Sequence, residues 1–148
     1  MTEEIYFSEG PSGGHGGNTE FFDTCESNEY ITSVSIWVGR LVDALQFTTN
    51  VKTHAKHGGG GGTQKIFNLD ENEFLVALEG RYEAQIDRII LGTNTGKCGV
   101  FGGDGGRRGF LYQAPAGWEI CGFKGASQQF LDSIGVILRA LPAGTVKK

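Results

Sequence analysis

The sequence has few of the residues that mark a membrane, metal-binding or nucleic-acid-binding protein. It contains 3 prolines, 3 cysteines and 3 histidines, and its 13 basic against 17 acidic side chains give a net charge of -4. No apolar run approaches the roughly 18 residues of a membrane span. The cysteines and histidines lack zinc-ligand spacing, and the acidic balance argues against binding driven by phosphate neutralisation. We therefore expect no membrane insertion, no metal or other cofactor, and no nucleic acid partner.

The ends and the cysteines bear on location and redox state. Met1–Glu4 is acidic and lacks the apolar core of a secretory signal peptide. Cys25, Cys98 and Cys121 form an odd-numbered set, which fits free thiols better than a disulfide framework. We therefore expect a cytoplasmic protein whose cysteines fill the core.

The length and composition predict one domain. The chain has 148 residues, of which 39% are hydrophobic, enough for a sizeable core. We expect residues 1–148 to form a single domain with an ordered core over about 5–141, closed by Pro142-Ala143-Gly144 and a frayed tail. Glycine is the residue in excess, with 25 copies, and the glycines cluster in three loops.

Two landmarks recur along the chain with the same period. Three glycine-rich stretches end at residues 17, 62 and 106, a spacing of 45 and then 44. Three apolar stretches each contain one aspartate, and these aspartates, Asp43, Asp87 and Asp132, are separated by 44 and 45 residues. Because the two landmarks are independent, their common period indicates a threefold internal repeat.

Short apolar or alternating stretches between turn residues predict β-strands, and no segment keeps a convincing helical period. The predicted strands are 5–7, 21–22, 31–38, 41–49, 65–69, 73–78, 85–91, 109–112, 118–123 and 130–138, with loops over 10–17, 58–62 and 102–106. The predicted class is all-β. Three equal units around one axis bury a core that no single unit could bury alone. A β-prism, a three-bladed propeller and a β-trefoil all satisfy this pattern.

A glycine-rich loop beside an aspartate suits a neutral ligand with many hydroxyl groups. Glycine lets a ligand approach the backbone and leaves N–H donors free, while an ionised aspartate accepts bonds from two hydroxyls. Bonds to the carboxylate contribute roughly 1.5–3 kcal/mol each. The pattern therefore predicts shallow sugar sites of about millimolar affinity, which gain strength by acting together.

Other chemistries lack the residues that they need. A P-loop ends in Gly-Lys-Ser/Thr and opens a helix, whereas Gly62 and Gly106 lead into predicted strands. Calcium-binding glycine repeats use an aspartate in every repeat, and only Asp104 lies inside a glycine stretch. The repeat aspartates fall one per repeat, so no close carboxylate pair for glycoside hydrolysis is visible. We therefore expect a binding protein and not an enzyme.

These residues resemble the jacalin-related lectins. The matching stretches are Gly13–Gly17, Gly58–Thr63 and Gly122–Gly125 followed by Phe130–Val136, and the resemblance covers roughly residues 5–141. It implies the β-prism I fold, with three four-stranded Greek-key sheets in pseudo-threefold symmetry. It also implies a homo-oligomer, commonly a dimer. The ligands implied are mannose- or glucose-type sugars and mannose-rich glycans of glycoproteins, because no processing signal of the galactose-binding branch precedes Gly13.

In that family a glycine loop pairs with a Gly-x-x-x-Asp motif, which implies three sugar sites in this sequence. The first site comprises Gly17, Gln129, Phe130 and Asp132, the second Gly39, Arg40, Leu41, Asp43 and Gly62, and the third Ala84, Gln85, Asp87 and Gly106. Only the second site keeps the glycine of the motif, because Gln128 and Glu83 replace it in the other two. The second site is therefore the best match. If the two replacements degrade sugar binding, the alternative is a protein-interaction or stress and defence module.

Overall fold

The structure, a computed structural model, describes residues 5–141, so Met1–Glu4 and the tail predicted after Leu141 lie outside the described residues. Twelve β-strands follow one another: β1 (Tyr6–Gly13), β2 (Thr19–Thr24), β3 (Ile31–Val38), β4 (Val42–Thr49), β5 (His57–Gly58), β6 (Thr63–Asn68), β7 (Leu75–Tyr82), β8 (Ile86–Thr93), β9 (Cys98–Gly102), β10 (Arg108–Gln113), β11 (Trp118–Ser127) and β12 (Leu131–Ala140). Over this range there is no helix with the length and apolar character needed to cross a membrane.

The strands form one eight-stranded and one four-stranded antiparallel sheet. The smaller sheet has the order β5-β4-β3-β6. The larger one contains two four-stranded groups, β2-β11-β12-β1 and β9-β8-β7-β10, which join through the single residue pair Ile120–Leu75. The all-β prediction is confirmed. The structure has two sheets instead of the three expected, because this one pair connects two of the four-stranded groups.

The sheets enclose one shared core. Successive residues of a strand point to opposite faces, so one face of each strand group turns inward. Phe47 of the smaller sheet and Phe123 of the larger one are both fully buried, and their ring centroids lie 5.9 Å apart. Contacts between sheets therefore fill a core that one repeat could not bury alone.

The structure corrects the sequence prediction at the glycine loops. β1 continues to Gly13 although a loop is predicted from Gly10 onward, and a bulge between Glu9 and Ser12 interrupts its pairing with β12. β5 and β9 are not predicted at all, yet they pair with β4 and β8. These short edge strands form because a neighbouring strand supplies their partners, a tertiary effect that outweighs local propensity.

A buried charged cluster holds the segment that leads into β5. His54 Nδ1 lies 2.6 Å from Asp23 Oδ1, and His57 Nε2 lies 2.8 Å from Asp23 Oδ2. The second ring nitrogen of His54 lies 3.1 Å from Glu29 Oε2. Burial opposes ionisation of Asp23, but its bonds to His57 and His54 outweigh burial and lower its pKa. The cluster therefore fixes β2 against the segment before the second glycine loop.

The cysteines match their prediction in part. All three are free, and Cys25 and Cys121 are buried while Cys98 is exposed. Burial raises the pKa of the Cys25 thiol, which disfavours the reactive thiolate. Cys25 and Cys121 therefore fill the core as expected, whereas Cys98 lies on the surface.

Candidate functional site

Three tight turns carry the repeat aspartates and share one backbone geometry. They connect β3 to β4, β7 to β8, and β11 to β12. In each turn the first residue donates its N–H to the carbonyl oxygen two residues later: Gly39 to Leu41 (2.9 Å), Glu83 to Gln85 (3.1 Å) and Gln128 to Phe130 (3.0 Å). None of the three first residues has a positive φ. The replacements Glu83 and Gln128 therefore leave the turn geometry unchanged.

Each glycine loop bonds to the chain at the aspartate with which the sequence pairs it. The main-chain N–H groups donate to aspartate carbonyl oxygens in three equivalent pairs: Gly14 to Asp132 (2.9 Å), Gly59 to Asp43 (3.1 Å) and Gly103 to Asp87 (2.9 Å). The structure thus brings together the loop and the turn of all three predicted sites. The threefold pattern of the sequence corresponds to a threefold pattern of contacts.

Each carboxylate lies beside a glycine that the sequence analysis did not assign to its site. A Cβ atom placed on Gly61 would lie 3.0 Å from Asp43 Oδ2, one on Gly105 2.7 Å from Asp87 Oδ2, and one on Gly16 3.3 Å from Asp132 Oδ2. These glycines precede the predicted residues Gly62, Gly106 and Gly17 by one position. The available indication was the excess of glycine in each loop, since a side chain here would fill the space before the carboxylate.

The last glycine of each loop has a packing role as well. A Cβ on Gly17 would lie 2.8 Å from the main-chain nitrogen of Ser127, and one on Gly106 2.8 Å from that of Tyr82. A Cβ on Gly62 would lie 2.9 Å from the main-chain nitrogen of Val38 and also 2.9 Å from Asp43 Oδ1. Gly62 and Gly106 have φ values of +85° and +92°, in the region that favours glycine. These residues therefore shape the loop more than they face a ligand.

The loops also interlock around the molecule. A Cβ on Gly14 would overlap the carbonyl oxygen of Ala84, one on Gly59 that of Gln129, and one on Gly103 that of Arg40. Ala84, Gln129 and Arg40 are the middle residues of the three turns, and each belongs to a different predicted site from the loop that covers it. Every loop thus serves its own aspartate and lies on the turn of a second site.

The three carboxylates are buried, with exposed fractions of 8% for Asp43, 8% for Asp87 and 4% for Asp132. Burial raises the pKa of all three; Lys56 opposes the effect at Asp43, and the charge of Glu83 adds to it at Asp87. The Oδ1 atom of Asp132 is buried without a hydrogen-bond partner in residues 5–141. A buried carboxylate oxygen without a bond costs stability.

The second and third sites open into one depression of about 640 Å³. Its lining residues are Gly39, Arg40, Leu41, Asp43, Gly62, Asp87, Gly103, Asp104, Gly105 and Phe130. A smaller depression of about 360 Å³ lies on the other side of Asp43 and reaches Gln128, Gln129 and Phe130 of the first site. The three sites therefore share walls, and Phe130 lines both depressions.

The chemistry available at this surface is hydrogen bonding. No group of three or more His, Cys, Asp or Glu side chains within residues 5–141 is placed to hold a metal ion. The turns and loops offer carboxylate acceptors and main-chain N–H donors at a shallow, water-accessible surface. Such an arrangement suits a ligand whose groups both donate and accept, and a sugar hydroxyl does both.

Comparisons with known proteins identify the family. The family model described as "Jacalin-like lectin domain" matches residues 9–137. Horcolin of Hordeum vulgare subsp. vulgare is 33% identical over 137 residues, covering 85% of this chain and 92% of its own length. The structure of wild-type Malaysian banana lectin is 28% identical, with a TM-score of 0.78 over 92% of this chain and 99% of that one.

A further solved structure, a mannose-binding jacalin-related lectin from Ananas comosus, is 25% identical. It superposes with a TM-score of 0.76 over 93% of this chain and 98% of that one. The family match extends over most of the chain, and the fold neighbours align along nearly their entire length. The chain therefore belongs to the jacalin-like lectin family, whose members are carbohydrate-binding proteins and not enzymes.

Proposed function

We propose that the protein binds mannose- or glucose-type sugars and mannose-rich glycans at its three turn-and-loop sites. The observation that carries the proposal is the Oδ2 atom of Asp132 beside Gly16 of the first glycine loop. Equivalent aspartates stand beside the other two loops. The relative from Ananas comosus, whose name describes it as mannose-binding, supports the choice of sugar.

The proposed contacts at each site combine one carboxylate with the backbone of its turn. At the second site Asp43 accepts bonds from two sugar hydroxyls, and the N–H groups of Arg40 and Leu41 donate to a sugar oxygen. These two N–H groups donate to no acceptor in residues 5–141. Four or five such bonds, less the cost of association, correspond to about millimolar affinity per site. Three sites on one domain raise the affinity for a branched glycan.

The test is a titration of ¹⁵N-labelled protein with methyl α-mannoside, followed by amide chemical shifts. We expect the turns at 39–43 and 128–132 to shift with dissociation constants of about millimolar order. Methyl α-galactoside serves as the control and is expected to bind more weakly. No shift at any turn, together with an empty glycan array and a stable protein partner, would favour an interaction module instead.

We further propose that each four-stranded group is a Greek-key unit of a β-prism with pseudo-threefold symmetry. The orders β6-β3-β4-β5 and β10-β7-β8-β9 support this, because the fourth strand lies beside the first in both. A homodimer and a cytoplasmic location stay predictions of the sequence. Analytical ultracentrifugation would test the first of them.

Binding is expected to weaken on acidification at a higher pH than an ordinary aspartate would cause. Burial raises the pKa of Asp43, Asp87 and Asp132 above the usual 3.8. Each carboxylate therefore takes up a proton, and stops accepting two hydroxyl bonds, while the pH is still above that value. Affinity for methyl α-mannoside, measured by calorimetry between pH 7 and pH 3.5, is expected to fall before the pH reaches 3.8.

The fold is expected to persist in the same window, which separates loss of binding from unfolding. Hydrogen bonds lower the pKa of Glu73 to about 2. The pKa values of Asp23 and Glu29 are lowered as well. Stability from a lowered pKa is lost only as the pH falls through the folded-state value. Circular dichroism at each pH is the control, and unchanged affinity of folded protein below pH 3.8 would contradict the carboxylate contacts.

A further inference from the structure

The arginines are concentrated at one of the three sites. Five of the six arginines lie in the third glycine loop, the turns beside it or the adjoining strands: Arg40, Arg81, Arg88, Arg107 and Arg108. The remaining one, Arg139, is buried in an ion pair with Glu119. Since the whole chain has a net charge of -4, this local excess of positive charge is not a reflection of overall composition.

Two of these arginines are built into the third loop. Arg88 donates its Nε–H to the carbonyl oxygen of Gly103 at 2.8 Å, and Arg81 donates its Nε–H to that of Gly106 at 3.1 Å. Each bond fixes the plane of a guanidinium group at an end of the loop. The loop that serves Asp87 is thus bordered by positive charge, whereas the loops that serve the other aspartates have no comparable arginine bonds within residues 5–141.

The other three arginines flank the third site on both sides. Arg40 lines the depression of about 640 Å³ that contains Asp87. Arg107 and Arg108 line a separate, more polar depression of about 680 Å³, together with Tyr82, Glu83 and residues 13–15 of the first glycine loop. Arg40 and Arg108 are exposed, and neither forms an ion pair with a carboxylate of residues 5–141. Two guanidinium groups beside the site are thus available to a ligand.

The carboxylates nearby do not cancel this charge. Arg107 lies 2.6 Å from Glu83, but the two side chains are 89% and 45% exposed, and such surface pairs contribute little to stability. Asp104, which pairs with Arg88, is fully exposed. Five arginines against Asp43, Asp87, Glu83 and Asp104 leave a formal charge of +1 around the site. An anion of the ligand can displace Glu83 from Arg107 at little cost.

We propose that the third site binds a sugar that carries an anionic substituent, with Asp87 on the ring hydroxyls and Arg107 and Arg108 on the anion. The substituent is a phosphate, sulfate or carboxylate group, because the planar guanidinium fork matches two oxygens of such a group. The part of the proposal that concerns the sugar ring rests on the proposed sugar-binding function. It also gives Glu83, which departs from the family motif, a role as the exchangeable partner of Arg107.

The test compares methyl α-mannoside, mannose 6-phosphate, mannose 6-sulfate, glucuronate and inorganic phosphate in amide-shift titrations at low salt. We expect at least one charged sugar to bind the third turn, residues 83–87, about tenfold more tightly than methyl α-mannoside does. The advantage is expected to shrink in 0.5 M NaCl, because exposed charges are screened. Equal affinity of charged and neutral sugars at this turn would overturn the proposal.

The variant R107Q/R108Q is expected to remove the tenfold advantage, while K65Q, at an exposed lysine of β6, is expected to keep it. Survival of the advantage in R107Q/R108Q, or binding of inorganic phosphate as tight as that of the phosphosugar, would also overturn the proposal. Methyl α-mannoside binding at turns 39–43 and 128–132 is read in the same samples. Its absence from the wild-type protein would contradict the proposed function itself, so the two failures are distinguishable.

Discussion

Joint replacement of Asp43 and Asp132 by asparagine is expected to remove methyl α-mannoside binding at both of their sites. Asparagine keeps the size of the side chain but loses the charge, and its amide nitrogen is a donor where the sugar also offers a donor. Loss of one charge-assisted bond, at roughly 1.5–3 kcal/mol, corresponds to a decrease of about 10- to 150-fold per site. From a millimolar starting point, isothermal calorimetry would detect no binding at these sites.

The same variant is expected to unfold at a higher temperature than the wild-type protein. Burial raises the pKa of both carboxylates, so at neutral pH their ionised forms disfavour the folded state, and a neutral amide removes this penalty. Loss of binding with a gain in stability would identify the aspartates as functional residues. D70N, at an exposed residue of the β6–β7 turn, is the control. Wild-type binding by the double variant would show that the sites are assigned wrongly.

Replacement of Gly59 by alanine is expected to destabilise the fold by about 3 kcal/mol, the upper end of the usual cost of overpacking. The new Cβ would overlap the carbonyl oxygen of Gln129 and lie 2.8 Å from its carbonyl carbon. Both atoms are backbone, so the clash is relieved only by moving the β11–β12 turn. Chemical denaturation would measure the change, and the shifted turn is expected to weaken sugar binding at Asp132 as well.

The neighbouring glycine provides a matched control. A Cβ on Gly60 meets no atom within 4 Å, and Gly60 has no positive φ. G60A is therefore expected to be neutral or to stabilise the protein by about 0.4–1 kcal/mol, because alanine restricts the unfolded chain. If G59A and G60A have the same stability, the close contact between the second loop and the β11–β12 turn does not exist in solution.

The repeat was predictable because two independent patterns in the sequence, the glycine loops and the aspartates, have the same period. The period of 44–45 residues places Asp43, Asp87 and Asp132 at equivalent positions of three repeats. The structure pairs each of them with the expected loop. All-β character followed from turn residues and the lack of helical periodicity. Features that depend on local pattern and spacing were therefore accessible before the structure.

Other features depend on contacts between distant residues, which no local pattern contains. The bond between His54 and Asp23 joins residues 31 positions apart, and the histidines alone showed no ligand spacing. β5 and β9 exist only because β4 and β8 lie next to them. The consequence of Gln128 was also not predictable. Its replacement of the motif glycine predicted a weaker first site, but the φ at this position is not positive, so the turn does not require glycine.

The interlocking of the loops makes the three sites a closed cycle with a direction. The loop of the first site, at Gly14, covers the turn of the third at Ala84, and the loop of the third, at Gly103, covers the turn of the second at Arg40. The loop of the second then covers the turn of the first. Removal of any one repeat from this ring would leave one turn uncovered and one loop without a turn to cover. A substitution that changes the shape of one loop therefore affects two sites, so a new specificity requires changes in two repeats together.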